Sequence, residues 1–359
     1  MTDTHRAIAP VLVSYPPRGG PATVVFTVSD SSEVGAARRG IDALASAIGL
    51  DESVRGTIAL LVTELATNLA RHARDGRLWV RRLAADDERI GIEIVSIDAG
   101  PGMSNVPGFL RDGFSTAGTA GKGLGAVQRL ADEFDIYSIP GAGTVIVARA
   151  WSRGAESRPR LATGMVCLPL GGAAACGDAW CIREHEGETT VVIADGLGHG
   201  VDAAAAADAA IETFDRTWRN GIPDILRAMH AALRPTRGAA VSVARLDGGA
   251  RNIRFAGVGN VAGSLLSVEG SRGLVSSPGI VGHQMARVHE MTYPWPVGST
   301  LVMHSDGVSA RWGLDRYPAF TAQRPSVIAA TLARDHARTQ DDATIVAIAD
   351  RTVVAGAAA

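Results

Sequence analysis

Two apolar segments in the second half of the chain end in the same dipeptide. VVIADG (191–196) and LVMHSDG (301–307) each have the pattern of a buried strand that ends in Asp-Gly, at Asp195 and at Asp306. A carboxylate beside a core is costly unless something compensates its charge, and a following glycine lets a backbone carbonyl come close to a ligand. One such Asp-Gly is usually only a turn, so further residues must decide between a turn and a site.

Further aspartates stand in the same kind of place. Asp178 lies in CGDAW, before a predicted strand, and the pair Asp341–Asp342 opens the strand DDATIVAI. Hard divalent cations prefer carboxylate oxygens, and two cations bridged by one carboxylate can activate water and neutralise a phosphoryl group. Four such positions in one predicted domain favour a metal site over four unrelated turns.

The order GD…ADGLGHG…SDG…DDAT resembles the SpoIIE and RsbX branch of the metal-dependent type-2C protein phosphatases. The resemblance covers about 161–350 and includes GAAVSVARLD and IRFAGVGN. It implies hydrolysis of protein phosphoserine or phosphothreonine with two manganese or magnesium ions and no phosphoenzyme. It also implies a ligand set: Asp195 bridging both ions with the Gly196 carbonyl beside it, Asp178 on one ion, Asp306 and Asp341 on the other, and Asp342 as a neighbour of the ligands.

This chain departs from the family pattern after the first Asp-Gly. Many eukaryotic members have a histidine there as a candidate general acid, whereas this sequence has Leu197. His199 lies two residues further on, and spacing alone gives it little support as a chemical group. The arginine that binds phosphate in many members has no identifiable counterpart in the sequence.

A second group of polar residues lies in the first half of the chain. Glu64, Asn68 and His72 recur every four residues on a predicted helix, so they share one helical face, which by itself could simply be solvated. Downstream come DAGPGM (98–103) and the glycine-rich STAGTAGKGLG (115–125), which leads into a helix. Backbone amides of such a loop and a helix N-terminus suit a polyphosphate. The three features in this order indicate a nucleotide site.

The segments ELATNLARHA, DAGPGM, DGFSTAG and LADEFDI…GAGT resemble the RsbT and RsbW group of serine/threonine kinases, which have the GHKL ATP-binding fold. The resemblance covers about 22–151 and implies binding of ATP with magnesium. His72 is expected to pack rather than react. The implied roles are Glu64 as general base or orienting group, Asn68 as magnesium ligand, Asp98 as acceptor for the adenine amino group, Gly100 and Gly102 beside the base, Gly121, Lys122, Gly123 and Gly125 over the phosphates, and Thr144 near adenine.

The length of 359 residues indicates two domains rather than one core. The predicted fold class is α/β (α+β), with helices on one face of a mixed sheet in the first domain and a two-sheet sandwich flanked by helices in the second. The predicted units are a loose tail over 1–20, a GHKL ATP-binding α/β sandwich over 21–151, a linker over 152–160, a phosphatase α-β-β-α sandwich over 161–350, and a tail over 351–359.

The apolar patterns also predict the elements of both domains. In the first they are helices over 31–48 and 52–73 and strands over 22–28, 77–83, 89–97, 135–139 and 143–150. In the second they are helices over 200–218, 222–233 and 325–336 and strands over 162–168, 178–184, 189–194, 240–246, 252–257, 262–267, 287–292, 299–304 and 343–349.

Net charge, apolar stretches and cysteine content limit the classes of partner and the compartment that we expect. A net charge of −2 gives no electrostatic reason to expect a nucleic acid or an anionic membrane as partner. No apolar stretch has the length of a bilayer span, and the start lacks a signal-peptide pattern, so a cytoplasmic location is expected. Cys167, Cys176 and Cys181 form no CxxC pair and are expected to be free thiols.

The two resemblances together imply one bacterial signalling protein with opposed activities. Both kinds of relative act on STAS-domain proteins in stress or sigma-factor control. We therefore expect a phosphatase for a STAS-type partner joined to an ATP-binding domain that phosphorylates the same class of partner. Two alternatives stay open. The first domain could only sense ATP or dock a partner, or it could hold a sigma factor by surface contact while the phosphatase releases it.

Overall fold

The computed structural model describes residues 23–84, 89–110, 123–152 and 161–350. In the first part, five strands form one sheet in the order β1-β2-β3-β5-β4, and every neighbouring pair is antiparallel. The strands are β1 (Val24–Thr27), β2 (Arg77–Ala84), β3 (Ile90–Asp98), β4 (Glu133–Ile139) and β5 (Gly143–Trp151).

The prediction of a mixed sheet was therefore wrong. Two helices connect β1 to β2, as predicted, and a pair of antiparallel helices returns the chain to the end of the sheet that it left. The next strand must then run antiparallel to the first. The helices of this part are α1 (Ser31–Ala47), α2 (Glu52–His72), α3 (Val106–Leu110) and α4 (Gly123–Leu130).

The sheet of the first part is buried on both faces. Leu78, Ile92 and Ile146 point to the helical side, where Ile58 and Leu65 of α2 belong to the same core cluster. The alternate residues of the same strands, such as Val95, are buried too, on the side away from these helices. Burial on both faces explains why IGIEIVSI is an almost continuous apolar run instead of an alternating one.

The second part is a sandwich of two antiparallel five-stranded sheets with helices on both outer faces, as the fold class predicted. The helices α5 (Val201–Thr217) and α6 (Ile222–Ala232) cover the first sheet, and α7 (Pro325–His336) covers the second. The first sheet, β15-β10-β9-β8-β7, contains β7 (Asp178–His185), β8 (Glu188–Gly196), β9 (Ala239–Asp247), β10 (Asn252–Val258) and β15 (Met291–Pro294). The second, β12-β11-β16-β17-β6, contains β6 (Leu161–Leu168), β11 (Ala262–Ser267), β12 (Gly270–Leu274), β16 (Thr300–His304) and β17 (Ala343–Asp350).

The strand predicted over 287–292 was displaced. The structure instead has a two-stranded hairpin of β13 (Gly279–Ile280) and β14 (Gln284–Met285), followed by β15. Strand β12, with the sequence GSRGL, was missed because main-chain pairing to β11 holds it and its side chains have no apolar pattern. The described residues also include three short 3₁₀ helices: Leu170–Gly172, Leu314–Arg316 and Phe320–Ala322.

Helix α7 also packs against the outer face of the first part's sheet, at β3, β4 and β5. Hydrogen bonds also join the parts elsewhere: the Thr23 amide donates to the Cys167 carbonyl (2.7 Å) and the Cys167 amide to the Thr23 hydroxyl (3.2 Å). The Tyr137 hydroxyl donates to the Pro318 carbonyl (2.9 Å), and Arg149 Nη2 donates to the Thr163 carbonyl (3.1 Å). The three cysteines are free thiols, as expected. Among the described residues, no helix combines the length and the apolar character needed to span a bilayer.

Candidate functional site

Four aspartates lie at one end of the sandwich. Asp178 and Asp195 are directly opposite each other in the β7–β8 pair. Asp306 follows the end of β16, and Asp341 precedes the start of β17. Because β16 and β17 are antiparallel neighbours, the end of one and the beginning of the other lie at the same edge of the second sheet. Each sheet thus contributes two of the four aspartates.

Polar contacts connect the two sheets at this end. The Ser305 hydroxyl donates to Oδ2 of Asp178 (2.6 Å), which belongs to the opposite sheet. Asn260 Nδ2 donates to Oδ2 of Asp306. Neither residue was among the predicted site residues. Ser305 stands immediately before Asp306, and Asn260 ends the segment IRFAGVGN, so both positions could have been found from their place in the motifs.

Asp342 holds the backbone around the site. Its two carboxylate oxygens accept hydrogen bonds from the amides of Leu170 (2.8 Å) and Gly177 (2.9 Å). The residue is 3% exposed. It therefore fastens the loop that precedes Asp178 to the beginning of β17, and both of its oxygens are engaged in that task.

The loop after Asp195 passes very close to α5. A side chain on Gly196 would overlap the carbonyl of Ala203, so only glycine fits there. Leu197 and His199 are both exposed. A guanidinium that was not predicted lies in the same place: Arg237 pairs with Asp202 in the first turn of α5, and it lies beside Gly198.

The four aspartates act on one another electrostatically. Burial, followed by the charges of Asp178, Asp306 and Asp341, raises the pKa of Asp195 to about 8. Burial also raises the pKa of Asp178 and that of Asp306, and Asp341 adds to the second effect. Within the described ranges, no three His, Cys, Asp or Glu side chains converge closely enough to enclose an ion. The donor chemistry still fits divalent cations, because hard oxygen ligands whose charges repel one another are the set that such cations neutralise.

The second site lies where α2 meets the beginning of α4. A Cβ on Gly123 would be 2.9 Å from Oε2 of Glu64 and 3.7 Å from the amide atoms of Asn68. The Asn68 Nδ2 atom is buried without a hydrogen-bond partner among the described residues. An orphaned amide next to a helix N-terminus fits a magnesium-bound phosphate group. His72 lies exposed at the end of α2.

Asp98 is the last residue of β3, and the glycine two residues later lies beside the end of α2, where a Cβ on Gly100 would be 3.0 Å from the His72 carbonyl. Oδ1 of Asp98 accepts a hydrogen bond from the Gly100 amide (2.6 Å), and burial raises the pKa of the Asp98 carboxyl. Gly102 has a φ of 65°, and a side chain there would overlap the Ile139 carbonyl. Thr144 lies directly opposite Asp98 in the β3–β5 pair. The structure brings Asp98, Gly100, Gly102 and Thr144 together at one edge of the sheet.

Two of the predicted phosphate-loop residues, Gly121 and Lys122, lie outside the described residues. Gly125 is buried within α4. Of the predicted nucleotide pocket, the structure therefore includes the residues around Asp98, the face of α2, and the phosphate loop from Gly123 onwards.

Comparison with protein families agrees with this division of the chain. Residues 27–150 match the histidine kinase-like ATPase domain, and residues 185–350 match stage II sporulation protein E (SpoIIE). The chain therefore belongs to the histidine kinase-like ATPase family in its first part and continues into a SpoIIE-type serine/threonine phosphatase domain.

Individual relatives are similar to one part each. The serine/threonine-protein kinase RsbT of Bacillus subtilis (strain 168) is 36% identical over 110 residues, 31% of this chain and 82% of RsbT. The phosphoserine phosphatase RsbX of the same organism is 27% identical over 157 residues, 43% of this chain and 78% of RsbX. A crystal structure of RsbX in complex with magnesium matches with a TM-score of 0.47 at 23% identity, covering 54% of this chain and 96% of that one.

Proposed function

We propose that the second part removes phosphate from phosphoserine or phosphothreonine of a STAS-domain protein, using two manganese or magnesium ions. The first part binds ATP with magnesium and phosphorylates the same class of partner, within stress or sigma-factor control. The names of the relatives RsbT and RsbX support a kinase and a phosphoserine phosphatase respectively. The observation that carries the proposal is the set of four mutually repelling aspartates at one end of the sandwich.

In the phosphatase part, the ions would be held by the four aspartates and the Gly196 carbonyl. Asp195 would be shared by both ions, Asp178 would hold one of them, and Asp306 and Asp341 would hold the other. When bound, such ions neutralise phosphoryl charge and lower the pKa of water. Ser305 and Asn260 orient Asp178 and Asp306 by donating to their carboxylates. Asp342 maintains the loop geometry through its two amide hydrogen bonds.

In the ATP-binding part, Asn68 would hold the magnesium ion that accompanies the ATP phosphates. Glu64 accepts the proton of the substrate hydroxyl or orients that hydroxyl. The carboxylate of Asp98 accepts a hydrogen bond from the adenine amino group. The base is surrounded by Gly100, Gly102 and Thr144. Gly121, Lys122, Gly123 and Gly125 close over the phosphates. We place the domains at 21–151 and 161–350, joined by 152–160 and flanked by the tails 1–20 and 351–359.

The phosphatase assignment is tested on a serine-phosphorylated STAS-domain protein. We expect phosphate release that requires manganese or magnesium, and we expect Asp195→Asn or Asp306→Asn to lower it by on the order of 100-fold. Asp195→Asn should still fold, because it removes one of several charges that repel each other. Manganese should raise the melting temperature of the unsubstituted chain and leave that of Asp195→Asn unchanged.

The matched control is Asp208→Asn, an exposed aspartate on α5, which should keep full activity. Full hydrolysis in excess chelator would contradict the metal-dependent assignment.

A second candidate function for the first part is that of a nucleotide sensor that does no chemistry. The contact between α7 and the edge of the nucleotide pocket favours it, since Arg334 of α7 donates to the Asp98 carbonyl. Binding of ATP without transfer of label to any STAS-domain protein would support the sensor. A related alternative, in which the first part holds a sigma factor by surface contact, predicts a stable complex with that factor.

A further inference from the structure

Helix α7 is buried between the two parts of the chain. Every residue from Pro325 to Ala333 is buried. One side lies on β6 and β17 of the phosphatase sandwich, and the other lies on β3, β4 and β5 of the first part. A single apolar cluster spans this boundary. From the first part it includes Trp79, Val95, Ile97, Tyr137, Val145 and Val147, and from α7 it includes Val327, Ile328, Ala330 and Leu332.

The last turn of α7 reaches the adenine end of the nucleotide pocket. Arg334 Nη1 donates to the main-chain carbonyl of Asp98 (3.1 Å). The same guanidinium binds both carboxylate oxygens of Asp335, at 2.7 and 3.0 Å. Its side chain is 6% exposed, so it is held within the interface rather than extended into solvent. A nucleotide that engages the Asp98 carboxylate therefore binds the same residue whose main-chain carbonyl contacts α7.

The segment directly after α7 pairs with the segment directly after Asp306. Ala337 and Val308 form an antiparallel bridge. The Ser309 amide donates to the His336 carbonyl (3.0 Å), and the Arg338 amide donates to the Gly307 carbonyl (2.7 Å). Three residues after Arg338 comes Asp341. Two of the four aspartates are thus placed by the chain that leaves α7.

From these contacts we infer that nucleotide bound at Asp98 controls the Asp306–Asp341 half of the phosphatase site through Arg334 and α7. This inference depends on the ATP site and the metal site of the proposed function. The coupling is positive: a bound nucleotide orders the segments 305–309 and 336–342 and so lowers the metal concentration that the phosphatase requires. Neither ligand needs to contact the other site.

The positive sign of the coupling between the two sites follows from conformational entropy. Nucleotide binding fixes Asp98 and its loop, which fixes the acceptor of Arg334 and with it the end of α7. The paired segments beyond α7 then have less freedom to lose when a cation gathers Asp306 and Asp341, so the second ligand binds more tightly. Couplings between sites are commonly about 5- to 150-fold, and the same factor acts in both directions.

The test measures amide hydrogen exchange in the full chain, at constant magnesium, with and without ADP. We expect ADP to slow exchange at residues 98–102 and also at 305–309 and 336–342. In Arg334→Ala, protection at 98–102 should persist while protection of the two distant segments is lost. Arg227→Ala, which removes an exposed arginine on α6, is the matched control and should behave like the unsubstituted chain.

An activity measurement checks the consequence. With p-nitrophenyl phosphate as substrate, ADP should lower the free manganese concentration for half-maximal hydrolysis at least about five-fold, and Arg334→Ala should abolish that shift. Protection at 98–102 with no change at 305–309 and 336–342 would overturn the coupling and leave the proposed function intact. Absence of ADP protection anywhere would overturn the ATP site and the coupling together.

Discussion

At the residue scale, two glycines of the β4–β5 turn give a matched pair. Gly141 and Gly143 both have positive φ, 80° and 87°. A side chain on Gly141 meets nothing within 4 Å, whereas one on Gly143 would overlap the Asp98 carbonyl. Gly141→Ala should therefore cost only the strain of a left-handed alanine, about 1–2 kcal/mol. Gly143→Ala should unfold more easily still and should lose nucleotide affinity. Urea unfolding and ADP titration of both variants measure the difference, and equal effects would contradict the close approach.

Single residues also show how far sequence reasoning reaches. Asp178, Asp195, Asp306 and Asp341 could be selected because four aspartates at the ends of predicted strands in one domain favour a site over unrelated turns. The structure gathers them at one end of the sandwich. Arg334 could not be selected, because 236 positions separate it from Asp98 and an arginine in the last turn of a helix normally needs no explanation. Contacts between distant segments depend on how whole elements dock.

At the element scale, a row of alternating charges crosses the sheet of the first part. Each member of the row is directly opposite the next: Arg81 on β2, Glu93 on β3, Arg149 on β5 and Glu133 on β4. Glu93 is almost fully buried, and it accepts from Arg81 (2.6 Å) and Arg149 (2.7 Å). Burial works against its charge, but the two guanidinium groups prevail and its pKa is lowered.

Glu93→Gln should lower the free energy of unfolding by about 3–5 kcal/mol, because it leaves the buried Arg81 guanidinium without its anion and Arg149 with Glu133 alone. The matched control is Glu188→Gln, whose partner Arg254 lies at a similar distance (2.6 Å) in a half-exposed pair. That change should stay within about 1 kcal/mol. Chemical denaturation of both variants provides the comparison, and similar losses would show that the charge row contributes no more than a surface pair.

Elements were predictable where periodicity was strong. The helix predicted over 52–73 is Glu52–His72, and that over 325–336 has the same bounds in the structure. The charge row was not predictable, because it depends on the register of four strands, and a sequence does not state which strands are neighbours. The antiparallel sense of β1 and β2 could have been predicted, because the two helices predicted between them return the chain to the end of the sheet that it left.

At the scale of the whole molecule, an ion pair crosses from one part to the other. Asp135 on β4 binds Arg324, the residue before α7, at 3.0 Å. Burial raises the pKa of Asp135 to about 6, with Glu133 and Glu93 adding to the effect while Arg324 and Arg149 oppose it. Between about pH 4 and pH 6 the folded chain therefore holds more protons here than the unfolded chain, so this carboxyl reduces stability as the pH rises.

Asp135→Asn removes that dependence. The free energy of unfolding of the variant, minus that of the unsubstituted chain, should increase by roughly 2 kcal/mol between pH 4 and pH 6 and then level off. Denaturant titrations across this range measure the difference. If the difference in the free energy of unfolding stays constant or decreases with pH, Asp135 does not have a raised pKa in the folded chain.

The two-part architecture itself could be read from the sequence, because each part has its own ordered motifs. The shared core around α7 could not be predicted from the sequence. An apolar helix face shows that it packs against something, but it does not show against which element. Trp79 and Val327 belong to one cluster although their segments are far apart in the chain. The two activities are thus proposed for parts that bury a common surface.

The most direct measurement of the central claim follows labelled phosphate from ATP on a STAS-domain protein. The chains compared are the unsubstituted protein, Asp195→Asn, and Asp195→Asn combined with either Glu64→Ala or the control Glu52→Ala at the exposed start of α2. We predict that label accumulates with Asp195→Asn and with its Glu52→Ala derivative, stays low with the unsubstituted chain, and is absent with the Glu64→Ala derivative. Equal label with the unsubstituted chain and Asp195→Asn would contradict the claim that one chain both adds and removes the phosphate.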